Sequence, residues 1–282
     1  MRSAVRRFGR ERSAIAGVII VACVVLGALL GPLLDGASPI AIDHALMGSP
    51  TGPSLAHLLG TDLLGRDELA RAFAGARVSL TVGVTAMLIA ISLGTVYGAI
   101  AGAAGGVVDT LMMRLVDALL AFPSFFLIIT VEALTEKFAL LVIILIIGLL
   151  SWMGVARLVR GEVLSLRGRD YVQAAIATGQ THRWVIWHEI LPNALSPLIV
   201  LASLMVATAI LLESSLSFLG LGDPNLISWG YMVGAGRTVI RQAWWITVFP
   251  GLAILLSVLG LNLIGEGLND ALNPRLSREG GR

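Results

Sequence analysis

The sequence predicts an all-α polytopic membrane protein, because of its composition, its long apolar runs and the placement of its arginines. Hydrophobic residues make up 56% of the 282 residues and charged residues only 13%. A soluble domain has about 45–50% apolar and about 25% charged residues. The mean hydropathy is +0.88. The chain is therefore too apolar for an ordinary globular protein, and a lipid bilayer is its expected surrounding.

Six apolar runs are long enough to cross a membrane. A spanning helix needs about 20 mainly apolar residues, since each residue rises about 1.5 Å through a hydrocarbon core about 30 Å thick. The runs are too uniformly apolar for barrel strands, and only helices and closed barrels satisfy the backbone inside lipid. We therefore expect a bundle of six transmembrane helices. The predicted spans are approximately Ala14–Leu34, Val78–Ala104, Val107–Ala133, Phe138–Ala156, Ala194–Glu213 and Trp244–Gly267.

The basic residues predict how the bundle is oriented. If the N-terminus lies in the cytoplasm, most of the 20 lysine and arginine residues fall on the inner side, in accord with the positive-inside rule. We therefore expect a multi-pass protein of the inner (cytoplasmic) membrane with both termini cytoplasmic. The first run is longer than the apolar core of about 7–15 residues in a signal peptide, so we expect it to remain as a helix.

Two regions are predicted. Residues 1–77 hold a cytoplasmic tail, the first transmembrane helix and an outer loop, and residues 78–282 hold a core of five transmembrane helices with a cytoplasmic loop at 157–192. In the first outer loop, Leu69, Ala72 and Phe73 share a helical face, which predicts a short amphipathic helix at the membrane surface. The tryptophans around the second outer loop, about 214–243, are expected at the membrane interface.

Small and charged residues inside the spans give further expectations. Gly94, Gly98 and Gly102 let a helix backbone approach another closely, either within the chain or at a partner. Arg114 and Asp117 are spaced to pair on one helix, and Glu213 is expected near water at a helix end. Kinks are expected at Pro123, Pro197 and Pro250.

Several function classes lack their residues in this chain. A phosphate-binding loop needs a lysine after a glycine-rich turn, but the only lysine, Lys137, has no glycine near it. No catalytic triad, metal-ligand spacing or deep charge relay of a proton-coupled pump is apparent. Cys23 stands alone, so an internal disulfide is excluded. We therefore expect no enzyme, no cofactor or metal in this chain and no nucleic-acid partner.

The polar stretch Gln173–Asn193 predicts two short helices with a hinge between them. Asp170 is a candidate N-cap with Gln173 completing a capping box, and Gly179 suits a helix end. Thr181 is a candidate cap for the second helix, and Pro192 is expected to push Leu191 out of the α region. Three interpretations stay open: helices lying on lipid, a lid over the bundle, or helices in a groove of a partner. In the third, the small face of the first helix, formed by Val172, Ala175, Ile176 and Gly179, lies at the contact.

In the polar stretch, Gln173, Ala174, Ala175 and Gly179 precede the pair Leu191-Pro192. This order resembles the motif E-A-A-x-x-x-G followed by a Leu-Pro pair, which lies in the cytoplasmic loop of the permease subunits of bacterial ATP-binding-cassette importers. Glutamine replaces the leading glutamate. Further stretches are similar to the C-type permease of dipeptide, oligopeptide and nickel importers. They include LGTDLLGRD (Leu59–Asp67), RLVDALLAFPS (Arg114–Ser124), SLSFLGLG (Ser215–Gly222) and NDALNPR (Asn269–Arg275).

This resemblance implies a type I importer permease (MetI-like) bundle. It also implies a heterodimer with a sister permease, two cytosolic ATPases that bind ATP and Mg²⁺, and an extracytoplasmic solute-binding protein. Gln173, Ala174, Ala175, Gly179, Leu191 and Pro192 would couple the bundle to an ATPase; residues that contact the substrate stay unknown. We expect an importer of dipeptides, oligopeptides or a related small solute. A self-sufficient secondary transporter or channel, and a membrane scaffold without transport, are the alternatives.

Overall fold

A computed structural model of the chain describes residues 7–9, 11–135 and 140–272. These residues are mostly helical and contain no β-strand, which confirms the all-α fold class. The helices are α1 Arg12–Asp35, α2 Glu68–Ala104, α3 Gly106–Leu120, α4 Ser124–Thr135, α5 Leu140–Arg167, α6 Asp170–Ala177, α7 His182–Val185, α8 Leu191–Phe218, α9 Trp229–Gly236 and α10 Trp245–Leu272. A π-helical turn, Ile186–Ile190, joins α7 to α8.

The spans agree with the predicted six-helix bundle. The helices α1, α2, α5, α8 and α10 are each long and apolar enough to cross a membrane. The pair α3 and α4, which is bent by 75°, passes the same test of length and apolar composition when it is counted as one span, and it then supplies the sixth. The bend lies at Ala121–Pro123, because Pro123 has no N–H to continue the helical hydrogen bonds. The other predicted kink sites, Pro197 and Pro250, lie inside the continuous helices α8 and α10.

The predicted amphipathic helix at the membrane surface is wrong, because its residues form the first turns of α2. Asp67 caps this helix, and its side chain accepts hydrogen bonds from the Leu69 and Ala70 N–H groups at 2.8 and 3.0 Å. Glu68 and Arg71, which are charged and lie off the face of Leu69, Ala72 and Phe73, are each only 1% exposed. They are enclosed by the preceding loop, where Arg71 Nη1 donates to the Pro39 carbonyl at 3.4 Å. The helix therefore runs 37 residues, and the expected boundary at 77 lies inside it.

The glycine pattern of α2 packs within the chain, against α5. A Cβ atom added to Gly98 would lie less than 3.0 Å from the Ala156 carbonyl oxygen and the Val159 side chain. One added to Gly102 would lie 2.8 Å from Val163 Cβ. The missing side chains thus let the two backbones approach closely. Of the two interpretations left open by the sequence, the structure shows packing between two helices of the same chain.

Ion pairs join α5 to α3 beside this crossing. Arg160 donates to both carboxylate oxygens of Asp109, at 2.6 and 2.7 Å, a bidentate arrangement that fixes the orientation of both groups. Arg157 bonds to Asp117. The predicted pairing of Asp117 with Arg114 on one helix is therefore wrong; the partner comes from the neighbouring helix, which the spacing within α3 does not indicate.

Polar side chains expected near water are buried inside the bundle. Glu213 of α8 is 1% exposed and accepts hydrogen bonds from Ser79 at 3.0 Å and Ser217 at 2.7 Å. The expectation that Glu213 lies near water is therefore wrong. The two serine hydroxyls supply the hydrogen bonds that water would otherwise make to its carboxylate. Trp229 and Trp245 are also buried, and their indole N–H groups donate to the carbonyls of Ala72 and Thr61, each at 3.0 Å.

Gly98→Leu should weaken the crossing of α2 and α5. Adding the side chain forces the backbones apart, and overpacking of this kind costs about 1–3 kcal/mol. We expect a lower free energy of unfolding in detergent, measured by denaturant titration of the purified chain. Gly161→Leu in α5 is the matched control, because a Cβ there meets nothing within 4 Å. Equal stability of the two variants would contradict the packing argument.

Candidate functional site

The candidate site is the connecting segment, residues 170–192, which joins α5 to α8. It contains α6, α7 and the π-helical turn. The structure brings the predicted site residues together here. Gln173, Ala174 and Ala175 lie on α6, Gly179 follows the end of α6, and Leu191-Pro192 begins α8.

The start of α6 differs from the predicted capping box. Asp170 is already the first helical residue, and Arg169 occupies the N-cap position without a side-chain hydrogen bond to the helix. The predicted cap is therefore displaced by one residue. Gln173 is exposed, and its Nε2 donates to the Arg167 carbonyl at 2.8 Å. The amide side chain thus ties α6 to the end of α5, a bond that a glutamate could not donate.

Gly179 ends α6 as predicted. Its φ of 89° lies in the left-handed region. The Gly179 N–H donates to the Ile176 carbonyl at 3.0 Å, and the Gln180 N–H donates to the Ala175 carbonyl at 3.2 Å. This pair of bonds is a Schellman motif, in which glycine is preferred because a Cβ is strained at positive φ. The motif turns the chain sharply from α6 into α7.

The second helix, α7, begins as predicted but continues through the π-helical turn into α8. The Trp184 N–H donates to Thr181 Oγ1 at 3.3 Å, so Thr181 is the cap. The expectation that Pro192 displaces Leu191 is wrong, since Leu191 has helical angles, φ −59° and ψ −44°. A π-helical turn precedes it, and the Leu191 N–H donates to the Ile186 carbonyl. A wider turn directly before a proline relieves the clash of its ring with the preceding turn.

One face of the connecting segment is part of the chain's own core. Val172, Val185 and Ile190 are at most 2% exposed. They belong to one apolar cluster with Val159 and Val163 of α5. Ala175 and Ile176 also pack against this cluster. The small face expected at a partner contact is thus used within the molecule, which also argues against a segment that only lies on lipid.

Other residues of the connecting segment are exposed, and they include small and aromatic residues. Ala174 and Ala177 are exposed on α6. Trp187 is 59% exposed, and Trp184 stacks on His188 with ring centroids 4.6 Å apart. Clustered exposed aromatic side chains are typical of binding surfaces rather than of surfaces that face only water. We call Ala174, Ala177, Trp184, Trp187 and His188 the outer face of the segment.

Arg167 anchors the base of the segment. Its Nη1 donates to the carbonyls of Gly102 and Ala103, in the last turn of α2, at 2.9 and 3.1 Å. A cation is favourable at a helix C-terminus, where carbonyl groups lack partners within the helix. Because Gln173 donates to the Arg167 carbonyl, residue 167 links α2, α5 and α6. Sequence patterns do not identify Arg167 as a site residue. Its acceptors are backbone oxygens, so no acidic residue at a fixed spacing marks it.

A cleft of about 370 Å³ opens on another face of the bundle. Its walls come from the ends of α3 and α4 at the bend and from α5 and α8. Hydroxyl side chains of Ser124, Ser151 and Thr208 line it together with apolar residues, and Gly154 lies on its α5 wall. The sequence assigned no residue to such a surface, although isolated serine and threonine residues in apolar spans are a weak signal for one.

Two family models match the chain. The one described as "Binding-protein-dependent transport system inner membrane component" matches residues 94–278, which include the connecting segment and the cleft. The one described as "N-terminal TM domain of oligopeptide transport permease C" matches residues 1–46.

Curated relatives are similar over nearly the whole chain. The dipeptide transport system permease protein DppC of Alkalihalophilus pseudofirmus is 41% identical over 98% of this chain and 90% of the relative. The oligopeptide transport system permease protein OppC of Escherichia coli is 40% identical over 96% and 89%. The OppC protein of Haemophilus influenzae is 39% identical over 96% and 87%.

Gly179→Ala should destabilise the turn between α6 and α7. The penalty is conformational, because a Cβ at this position meets nothing within 4 Å while φ is 89°. The left-handed conformation costs a non-glycine residue about 1–2 kcal/mol. We expect faster amide hydrogen exchange in residues 170–185. Gly168→Ala is the control, since Gly168 also has open space but no positive φ; faster exchange in both variants would show that backbone strain is not the cause.

Proposed function

The chain belongs to the family of binding-protein-dependent transport system inner membrane components, and on that premise we propose that it forms part of an ATP-driven importer of short peptides. Its role is that of a membrane-spanning permease subunit. The relatives named for dipeptide and oligopeptide transport support the peptide substrate. The chain supplies the membrane passage, and ATP and Mg²⁺ are bound by ATPase subunits of the same assembly.

The outer face of the connecting segment is the observation that carries this proposal. A permease without its own ATP site must receive work from another protein, and the segment offers a surface for that purpose. Its inner face is packed into the bundle core, while Ala174, Ala177 and Trp187 are exposed. Helices held in a partner's groove need such a free face. We propose that a cytosolic ATPase binds this outer face.

The proposed importer also implies an orientation of this chain in the membrane and two further partner proteins. The connecting segment lies on the cytoplasmic side of the inner membrane, with both chain termini, as the arginine distribution predicts. A sister permease faces the cleft, so that the passage runs between the two chains. The solute-binding protein docks at the opposite end of the bundle, where the loop before α2 is held by the Trp245–Thr61 hydrogen bond. No observation on the described residues favours the self-sufficient carrier.

Uptake of a labelled dipeptide by reconstituted assembly tests the proposed function. We expect dialanine to enter proteoliposomes that contain both permeases, the ATPases and the binding protein when ATP is supplied. Replacing ATP by ADP should abolish uptake, whereas a proton ionophore should leave it unchanged. Uptake by this chain alone, with no ATPase present, would refute the proposal.

Trp187→Ala should weaken ATPase binding. The side chain is 59% exposed on the outer face, and loss of an aromatic anchor at an interface typically costs about 2 kcal/mol or more. We expect a reduced yield of ATPase when the permease is purified from the assembly. Trp244→Ala is the control, because Trp244 is 48% exposed at the other end of the bundle. ATPase yields that fall equally in both variants would argue against the outer face as the contact.

A further inference from the structure

We propose that Gly154 sets the size of the peptide side chains that pass through the cleft, an inference that rests on the proposed function. Gly154 is exposed and lies on the α5 wall of the cleft of about 370 Å³. Cavities of about 300–1,000 Å³ are typical of small-molecule sites. The occupant to which we assign the cleft is the peptide in transit.

The bend between α3 and α4 indicates that lipid does not fill the cleft. Leu120 and Ser124 flank the bend and both line the cleft, and the intervening Ala121, Phe122 and Pro123 are exposed. Irregular backbone at membrane depth is tolerated only where protein covers it or where it lines a water-filled cavity, because lipid offers no hydrogen-bond partners. The cleft also adjoins Leu201 and Thr208 of α8, well inside that apolar span.

The lining of the cleft suits the backbone of a peptide. None of its residues is charged, and three hydroxyl groups interrupt the apolar surface. The Thr208 hydroxyl donates to the Leu204 carbonyl at 2.9 Å and so offers an acceptor to a peptide N–H. A serine hydroxyl can donate and accept, so Ser124 and Ser151 match the N–H and C=O groups that every peptide carries. An uncharged wall contains no ionic partner for a charged side chain. Among peptides with uncharged side chains, volume is the property that the cleft discriminates.

Gly154 has no packing role that would explain a glycine. A Cβ atom on Gly94 or Gly148 would clash with the neighbouring helix, whereas a Cβ on Gly154 meets nothing within 4 Å. Its backbone is helical, so positive φ is not the reason either. Glycine inside a helix costs roughly 0.8–1 kcal/mol relative to alanine. The absent side chain therefore keeps space free on the cleft side, where larger residues would narrow the passage.

A graded series at Gly154 tests this assignment in the complete reconstituted assembly. Gly154→Ala, Gly154→Val and Gly154→Phe are compared for uptake of dialanine and of diphenylalanine. We expect Gly154→Phe to lower the maximal rate for diphenylalanine about tenfold or more, the discrimination that small volume changes in a pocket produce. Dialanine uptake should change much less. The concentration for half-maximal uptake should stay constant, because the binding protein captures the peptide first.

Gly251→Phe is the matched control, since Gly251 lies in α10 away from the cleft and its Cβ position is also open. It should import both peptides as the unaltered assembly does. Equal rates for the two peptides in Gly154→Phe, or an equal loss of both already in Gly154→Ala, would overturn the size-selection role. A wild-type assembly that imports neither peptide with ATP would instead refute the proposed function on which the inference rests.

Discussion

An apolar cluster that belongs to both the spans and the connecting segment is the constraint on which the rest of the molecule depends. Val155, Val159 and Val163 of α5 contact the same cluster as Val172 and Ile190 of the segment. Burying such side chains stabilises each by about 1.5–3 kcal/mol. The segment is thereby part of the bundle rather than an attached loop. A push on its exposed face must displace α5 and α8 with it.

Close helix packing and directed hydrogen bonds extend this coupling through the bundle. The glycines of α2 bring it against α5 along Gly94, Gly98 and Gly102, and Arg160 and Arg167 tie α5 to Asp109 and to the end of α2. Packed interiors are stiff and transmit displacement. Because α5 and α8 also form walls of the cleft, movement of the segment changes the shape of the surface proposed to carry peptide.

Local sequence predicts much of the fold. The parts that local sequence does not predict are determined by contacts between distant residues. The apolar runs predict the spans, and Gly179 and Thr181 predict the turn at 179–181, because capping is local chemistry. Asp117 and Glu213 were assigned wrongly since their partners, Arg157 and Ser79, are 40 and 134 residues away. The inner face of the segment was likewise misassigned: small residues suit a partner's groove and the chain's own core equally well. Gly154 gave no signal because an open glycine and a packed glycine look alike in sequence.

The distance between α5 and the segment during the ATP cycle tests the central claim most directly. Spin labels at Leu145→Cys and Ala174→Cys, both exposed, are placed in the complete assembly after Cys23→Ala. Their separation is measured by pulsed electron resonance with and without a non-hydrolysable ATP analogue. We predict an unchanged distance, since the segment and α5 move as one body. A shift of about 5 Å, one helical turn, would show that the segment slides on the bundle and would contradict the account.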